Sequence, residues 1–243
     1  MIGNANYRSW EPLGTPHEDA RRVTEVLRDH YGFKVRTLID ATRSDILRAL
    51  AKLREELTED DHLLVYYSGH GSWDKANLQG YWVPVDGDTD SVANHVSSND
   101  ITDQLSVMRS RQILVVADAC FSGVLVRSVA DSLDAGSAGL PRDAWLAQQS
   151  AVTGRKVLSS GNIREVLDGG AGRHSIFAAA FLRALKKRDA PFEARELYQD
   201  LAPAVERAAQ GFGEQQEPQF GALRHAGHVG GDFVYVPSAG LRG

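Results

Sequence analysis

The stretch Leu63-Leu64-Val65-Tyr66-Tyr67-Ser68-Gly69-His70-Gly71 decides the fold. Its first five residues are apolar or aromatic with no alternation, which is how a strand reads when both of its faces are covered, as in a parallel sheet. The run stops at a histidine with a glycine on each side, and glycine lets the backbone turn sharply and lets another group come close. A second run of the same kind, Ile113-Leu114-Val115-Val116-Ala117, ends on Asp118-Ala119-Cys120-Phe121-Ser122-Gly123. In open α/β sheets the site lies beyond the carboxyl ends of the strands. The two runs therefore predict His70 and Cys120, the one cysteine of the chain, on the same edge of one sheet.

Working outward, Met1 to Tyr7 reads as the tail of a strand that turns at Gly3, so the first strand is expected to be cut short. Thr15-Pro16-His17-Glu18 has the pattern of a capping box with proline at the first helical position, opening a helix to about Tyr31 that Gly32 ends. Ala20, Val23, Val26, Leu27 and His30 share its inner face. Phe33 to Ile39 alternates as a strand, and Thr42 to Leu57 is a helix with Ile46, Leu50, Leu53 and Leu57 on one side. The order βαβα predicts a mostly parallel sheet. Beyond His70, Leu78 to Val85 reads as a short strand or hairpin. Asp86, Asp88 and Asp90 follow at the spacing of a calcium loop, but Ser91 and Ser97 stand where that loop needs Gly and Glu, so an acidic turn is the simpler reading. Val124 to about Gly154 is rich in Ser, Ala, Gly and Asp and predicts a long connection without clear structure. Lys156 to Leu158 resumes as a strand, Ser175 to Leu185 and Ala194 to Ala209 are helices, and Asp232 to Val236 is a closing strand.

Composition narrows the function classes. The chain has 243 residues, a net charge of -5 and 42% hydrophobic residues, enough for a six-stranded sheet with helices in one domain. An acidic balance gives no general attraction to nucleic acid. One cysteine excludes an internal disulfide and any multi-cysteine metal site, and suits a reducing compartment. No run is long enough to span a membrane and no signal sequence opens the chain, so a cytoplasmic protein without a membrane partner is expected.

A lone cysteine is most often a small buried hydrophobe, and a lone histidine a satisfied core residue. Here both sit at strand ends, and Cys120 precedes Ser122-Gly123-Val124, where a helix N-terminus would lower the thiol pKa. The expected chemistry is acyl transfer, with the imidazole moving protons and the thiolate attacking a carbonyl. The backbone N–H groups of Gly71 and Cys120 are candidates for an oxyanion hole.

Tyr-Tyr-Ser-Gly-His-Gly followed 50 positions later by Asp-Ala-Cys-Phe-Ser-Gly resembles the caspase-like cysteine peptidases, on the metacaspase and paracaspase side. That spacing is itself a mark of caspases. The likeness extends to Ile2-Gly3-Asn4 with Glu18-Asp19-Ala20, to Pro84-Val85-Asp86, and to Gly230-Gly231-Asp232-Phe233-Val234. It implies a three-layer caspase-like α/β sandwich around a mostly parallel six-stranded sheet, with a large part to Arg127, a linker over 128–154 and a small part from Arg155 to Gly243. It also implies a cysteine endopeptidase that needs no cofactor and cleaves protein or peptide substrates after Arg, less readily Lys. The family's primary pocket carries acids at positions that are Asp19 and Asp118 here, with Glu165 a third candidate by position. A carboxylate pair suits a guanidinium, which can bond to it bidentately.

Two departures bear on the family's calcium site. Phe121 replaces the histidine that usually follows the nucleophile in metacaspases, and Arg127 stands near a position where calcium would need an acid, although Asp86 and Asp100 lie near others. In caspases the linker is cut to let the active-site loops settle. Arg127, Arg142 and Arg155 are the matching candidates here, for self-processing or for an upstream activating protease, with Pro141-Arg142-Asp143 expected in accessible backbone. Two alternatives stay open on sequence alone: a caspase-fold binding or scaffold module without turnover, and an acyl transferase on the same fold.

Overall fold

The computed structural model describes residues 1–119, 126–127, 139–161 and 173–238, with the backbone alone at 126–127. The first half of the chain runs β1 (Ile2–Gly3), α1 (Pro16–Tyr31), β2 (Leu38–Ile39), α2 (Arg43–Glu56), β3 (His62–Ser68), β4 (Gly71–Asp74), β5 (Gln79–Trp82), β6 (Val96–Ser97), α3 (Ser98–Ser106) and β7 (Gln112–Asp118). There follow β8 (Val126–Arg127), α4 (Arg142–Ala151), β9 (Gly154–Ser159), α5 (Ile176–Lys186), β10 (Phe192–Glu193), α6 (Ala194–Gln210), β11 (Gln219–Leu223) and β12 (Val234–Tyr235).

The main sheet has the order β2-β1-β3-β7-β9-β11-β8. Its first five strands are parallel and β11 is antiparallel to both neighbours. This is the expected six-stranded sheet with the two-residue β8 added at one edge. The apolar run in β3 serves both faces in turn. Leu64 and Tyr66 join the core under α1, α5 and α6, whereas Leu63, Val65 and Tyr67 join the core under α2 and α3. Leu114 and Val116 of β7 go to the first side, and Ile113, Val115 and Ala117 to the second. A strand covered on both sides needs no polar alternation, hence the unbroken apolar run. The chain is thus a three-layer α/β sandwich. Among the described residues no helix is long and apolar enough to cross a membrane.

Several local expectations change. The α1 helix begins at Pro16 and ends at Gly32 as expected, but Thr15 has helical backbone angles and its side chain does not cap the helix, so the motif there is not a working capping box. Working boxes are found at Thr42 with Asp45, at Ser97 with Asp100 and at Glu193 with Glu196. Of Phe33 to Ile39, only Leu38–Ile39 is strand. The short first strand is real, and Ile2–Gly3 is paired on both sides, with Leu38–Ile39 and with Tyr67–Ser68. The closing strand shrinks to Val234–Tyr235 and pairs with Phe192–Glu193 outside the main sheet. Strand β11, interrupted by Gly221 and following Pro218, has no counterpart in the sequence reading.

The connection after Cys120 is also more ordered than its composition predicts, because α4 lies within it. Leu146 is that helix's one buried residue, too little for a visible apolar stripe. The helix is tied down by polar contacts. The buried Gln112 amide donates to the Gln149, Ser150 and Val152 carbonyls at 3.0, 3.3 and 2.8 Å, satisfying acceptors that a helix end leaves open. Arg142 pairs with Glu193 and Glu196. The accessible backbone expected at Pro141-Arg142-Asp143 is therefore the first turn of a helix pinned by ion pairs. Arg155 is still less available. It is 6% exposed, and its guanidinium donates to the carbonyls of Leu105, Ser106, Ala226, Met108 and Ser110. A buried cation of this kind is held by hydrogen bonds and cannot present its peptide bond to a protease.

Candidate active site

The β3–β7 register brings the two motifs together. Ser68 pairs with Asp118 at the carboxyl ends of neighbouring parallel strands. His70 is two residues beyond Ser68, and Cys120 is two positions beyond Asp118. Cys120 itself lies outside the described residues, as do Glu165, Ser122 and Gly123.

The backbone of His70 is clamped. Its N–H donates to the Tyr7 hydroxyl at 2.8 Å, and its carbonyl accepts from the Tyr67 hydroxyl at 2.7 Å and from the Val83 N–H at 3.0 Å. Tyr67 in turn stacks on Trp82 with ring centroids 4.5 Å apart and planes 3° from parallel. Gly69 has to be glycine, because a Cβ there would meet the Tyr7 and Tyr67 hydroxyls at 2.6 and 2.9 Å. The imidazole is partly buried beside Tyr7 and Trp10, at centroid distances of 4.7 and 5.2 Å. Its Nε2 is 2.8 Å from the Glu11 carbonyl. A carbonyl oxygen only accepts, so Nε2 carries the proton, and in the neutral ring Nδ1 is left as the base.

The loop that supplies Tyr7, Trp10 and Glu11 is anchored by Asp40, whose carboxylate accepts from the Ala5 and Asn6 N–H groups at 3.0 Å each and from the Asn6 side chain at 2.8 Å. His17 is bonded to the same carboxylate at 2.7 Å. Burial pushes the Asp40 carboxyl up, but these donors outweigh it and hold its pKa at about 2.

Gly71 opens β4 opposite Trp82. Because the Val83 N–H donates to the His70 carbonyl, Gly71 and Trp82 form a non-hydrogen-bonded antiparallel pair, in which the Gly71 N–H points away from β5. That N–H is thus directed out of the hairpin, beside His70.

Asp19 and Asp118, nearly a hundred residues apart in sequence, are brought together. Asp19 on α1 is fully buried and Asp118 at the end of β7 is 4% exposed. One residue joins them: Ser175, which caps α5, donates its N–H to Asp19 Oδ2 at 3.3 Å and its hydroxyl to Asp118 Oδ2 at 2.5 Å. Tyr66 reports the same convergence, since burial first and then the fields of Asp118 and Asp19 push its phenol well above the ordinary tyrosine range. His174 Nδ1 lies 2.6 Å from Asp19 Oδ1. Burial lowers the His174 pKa; Glu18 opposes this, while Arg22, Lys186 and Arg173 reinforce it. Tyr7, Glu11, His174 and Ser175 had no signal in the sequence reading beyond Ser175 standing before an apolar helical run.

The two acids named for calcium have protein partners. Asp86 Oδ1 accepts the Arg43 N–H at 2.9 Å, and Asp100 completes the α3 capping box while the Arg43 guanidinium lies 3.3 Å from it. Arg43 also donates to the His95 carbonyl. Both acids are thus engaged within the chain, Asp100 by a cation, and among the described residues no three His, Cys, Asp or Glu side chains gather as metal ligands would.

A histidine and a cysteine motif at the ends of adjacent central strands, in a three-layer α/β sandwich, mark the class of caspase-like cysteine peptidases. Comparison with known proteins agrees. The family described as "Caspase domain" matches residues 1–225, and the chain belongs to that family. Human mucosa-associated lymphoid tissue lymphoma translocation protein 1 is 36% identical over 86 residues, 35% of this chain and 10% of that protein. Metacaspase-4 of Arabidopsis thaliana is 31% identical over 127 residues, 44% of this chain and 29% of that protein. The chain thus matches only a small part of the length of these relatives. A crystal structure of a Geobacter sulfurreducens protein superposes with a TM-score of 0.59 over 90% of both chains at 20% identity, a likeness of fold.

Proposed function

We propose that the chain is a cysteine endopeptidase that cleaves proteins or peptides after Arg, and less readily after Lys, with His70 and Cys120 as its dyad. The observation that supports this reading is the pairing of Ser68 with Asp118, so that the strands preceding His70 and Cys120 in the sequence end side by side. The reaction follows from the groups present. His70 Nδ1 takes the Cys120 thiol proton as the sulfur attacks the carbonyl carbon of the scissile bond, and the Gly71 N–H donates to the oxygen that becomes negative. The Glu11 carbonyl, bonded to Nε2, stabilises the imidazolium that forms. That proton passes to the leaving amine as the C–N bond breaks, giving a thioester on Cys120. Water then attacks the thioester, His70 takes a water proton and returns it to the sulfur, and the carboxylic acid leaves. Asp19 and Asp118 supply the negative charge for the substrate guanidinium.

Peptides that differ only at the residue before the scissile bond, each carrying a fluorogenic leaving group, test this reading. Turnover is expected for Arg above Lys, with none for Asp or Leu and none in Cys120→Ala. Equal turnover of all four, or turnover by Cys120→Ala, would overturn it.

A further inference from the structure

The pair of buried acids proposed to receive the substrate already has a base of the chain's own against it. Asp19 is fully buried, and a carboxylate in that position has to be satisfied from within the protein or by a ligand. It is met by His174 Nδ1 at 2.6 Å and by the Ser175 N–H at 3.3 Å. The His174 side chain keeps 22% of its exposure while Asp19 keeps none, so the imidazole is one of the groups that separate the acid from solvent. It lies two residues before α5, in neither a helix nor a strand of the core. We propose that the His174 imidazole is an internal occupant of the acidic pocket, holding Asp19 until the guanidinium of an arriving arginine displaces it, and thereby setting how strongly a substrate must bind to open the site. This rests on the arginine-cleaving reading above and gives that pocket its control.

The exchange follows from the chemistry of the two bases. A guanidinium is always charged and offers a planar set of donors that matches a carboxylate on two bonds. The imidazole offers Asp19 one donor. Burial first of all disfavours its charged form; Glu18 of α1 opposes this, and Arg22 on α1, Lys186 on α5 and the neighbouring Arg173 reinforce it. One imidazole donor holds a carboxylate less firmly than a guanidinium bonded on two, so His174 can satisfy Asp19 and still yield it. Ser175 remains on both acids through its N–H and its hydroxyl, so the pocket keeps its frame when the ring leaves. A lysine side chain makes fewer and less directional bonds than a guanidinium and displaces the ring less well, which ranks Arg above Lys without a further contact.

The test uses agmatine, an arginine side chain without its carboxylate, titrated calorimetrically into Cys120→Ala protein so that catalysis plays no part. Replacing His174 as well, by Ala, should tighten agmatine binding roughly tenfold, the worth of one hydrogen bond to a charged group that no longer has to be broken. His174→Asn, whose amide nitrogen can take the place of Nδ1, should restore affinity close to that of the His174 protein. In the active enzyme, His174→Ala should lower KM for the Arg peptide and for the Lys peptide by a similar factor, because the same bond to Asp19 no longer has to be broken. Unchanged or weaker agmatine binding in the Ala variant would overturn the proposal, as would equal affinities for the Ala and Asn variants. If Arg peptides are cleaved and agmatine binds but His174→Ala changes nothing, the displacement idea alone fails. If agmatine binds to none of the proteins, the acidic-pocket reading falls together with it. Near-ultraviolet circular dichroism checks each variant's fold, and Asn carries the test if Ala does not fold, since agmatine must then compete with the same single bond and bind no more tightly than to the His174 protein.

Discussion

Asp118→Asn separates the charge of the acidic pocket from its shape. The side chain is 4% exposed and its Oδ2 accepts from Ser175, a bond that an asparagine carbonyl oxygen can still accept. The frame linking Asp118 through Ser175 to Asp19 should therefore survive, and the thermal midpoint should move little. What is lost, on the proposed function, is one of the two carboxylates that would face the substrate guanidinium. A hydrogen bond to a charged group contributes about 1.5 to 3 kcal/mol. With desolvation adding to it and Asp19 still present, about 2 to 3 kcal/mol is a reasonable loss, or roughly 30- to 150-fold in kcat/KM at 1.4 kcal/mol per tenfold. The assay compares kcat/KM on an Arg peptide with that on the matching peptide bearing citrulline, a neutral isostere of Arg. The Arg peptide should lose the full factor and the citrulline peptide less than threefold, so that the preference between them collapses. An equal loss on both would mean that Asp118 positions the Cys120 loop instead of reading charge, and an unchanged Arg value would place the basic-residue pocket elsewhere.

Three further outcomes follow from the contacts around the site. Tyr7→Phe removes the acceptor of the His70 N–H and should lower kcat roughly fivefold with little change in KM, by stopped-flow or steady-state kinetics on the Arg peptide. Arg155→Leu leaves several buried carbonyls without their donor and should cost at least about 3 kcal/mol in urea denaturation; trypsin should not cut after Arg155 in the folded protein. The Asp40 carboxyl is held below its ordinary value, so it binds fewer protons folded than unfolded. Its contribution to stability is present above pH 3.8 and lost as pH falls toward about 2. Urea midpoints of the wild type and Asp40→Asn should thus differ at pH 6 and converge as the pH falls through that window; a gap that stays constant would mean that the carboxylate charge is not what anchors the Ala5 to Glu11 loop.

The parts of the molecule that follow from burial alone were legible in the sequence. Leu63 to Tyr67 and Ile113 to Ala117 are continuous apolar runs because α/β layering covers both of their faces, and that same fact makes them central parallel strands. His70 and Asp118 are readable because they end those runs. What escaped the reading depends on single long-range polar contacts. Nothing local marks Glu11, whose contribution is a backbone carbonyl 59 residues from His70, or His174, whose partner Asp19 is 155 residues away. Helix α4 has one buried apolar residue and is held by the Gln112 amide and by Arg142 with Glu193 and Glu196, so no periodic pattern reveals it. Thr15 shows the opposite failure, since the capping motif is present but the backbone there is already helical. Strand β11 is short, begins after Pro218 and contains Gly221, which hides its pairing with Lys156 to Ser159.

The central claim, that Cys120 is a nucleophile beside a pocket for a basic side chain, is tested most directly by covalent capture. A short peptidyl acyloxymethyl ketone with Arg next to the ketone is incubated with the protein, in parallel with the same reagent bearing Asp, and the modified residue is located by peptide mass spectrometry. The Arg reagent should alkylate Cys120 with loss of its carboxylate, the Asp reagent should leave Cys120 unmodified, and His70→Ala should slow the Arg reaction by orders of magnitude. No adduct on Cys120, or equal labelling by the Arg and Asp reagents, would contradict it.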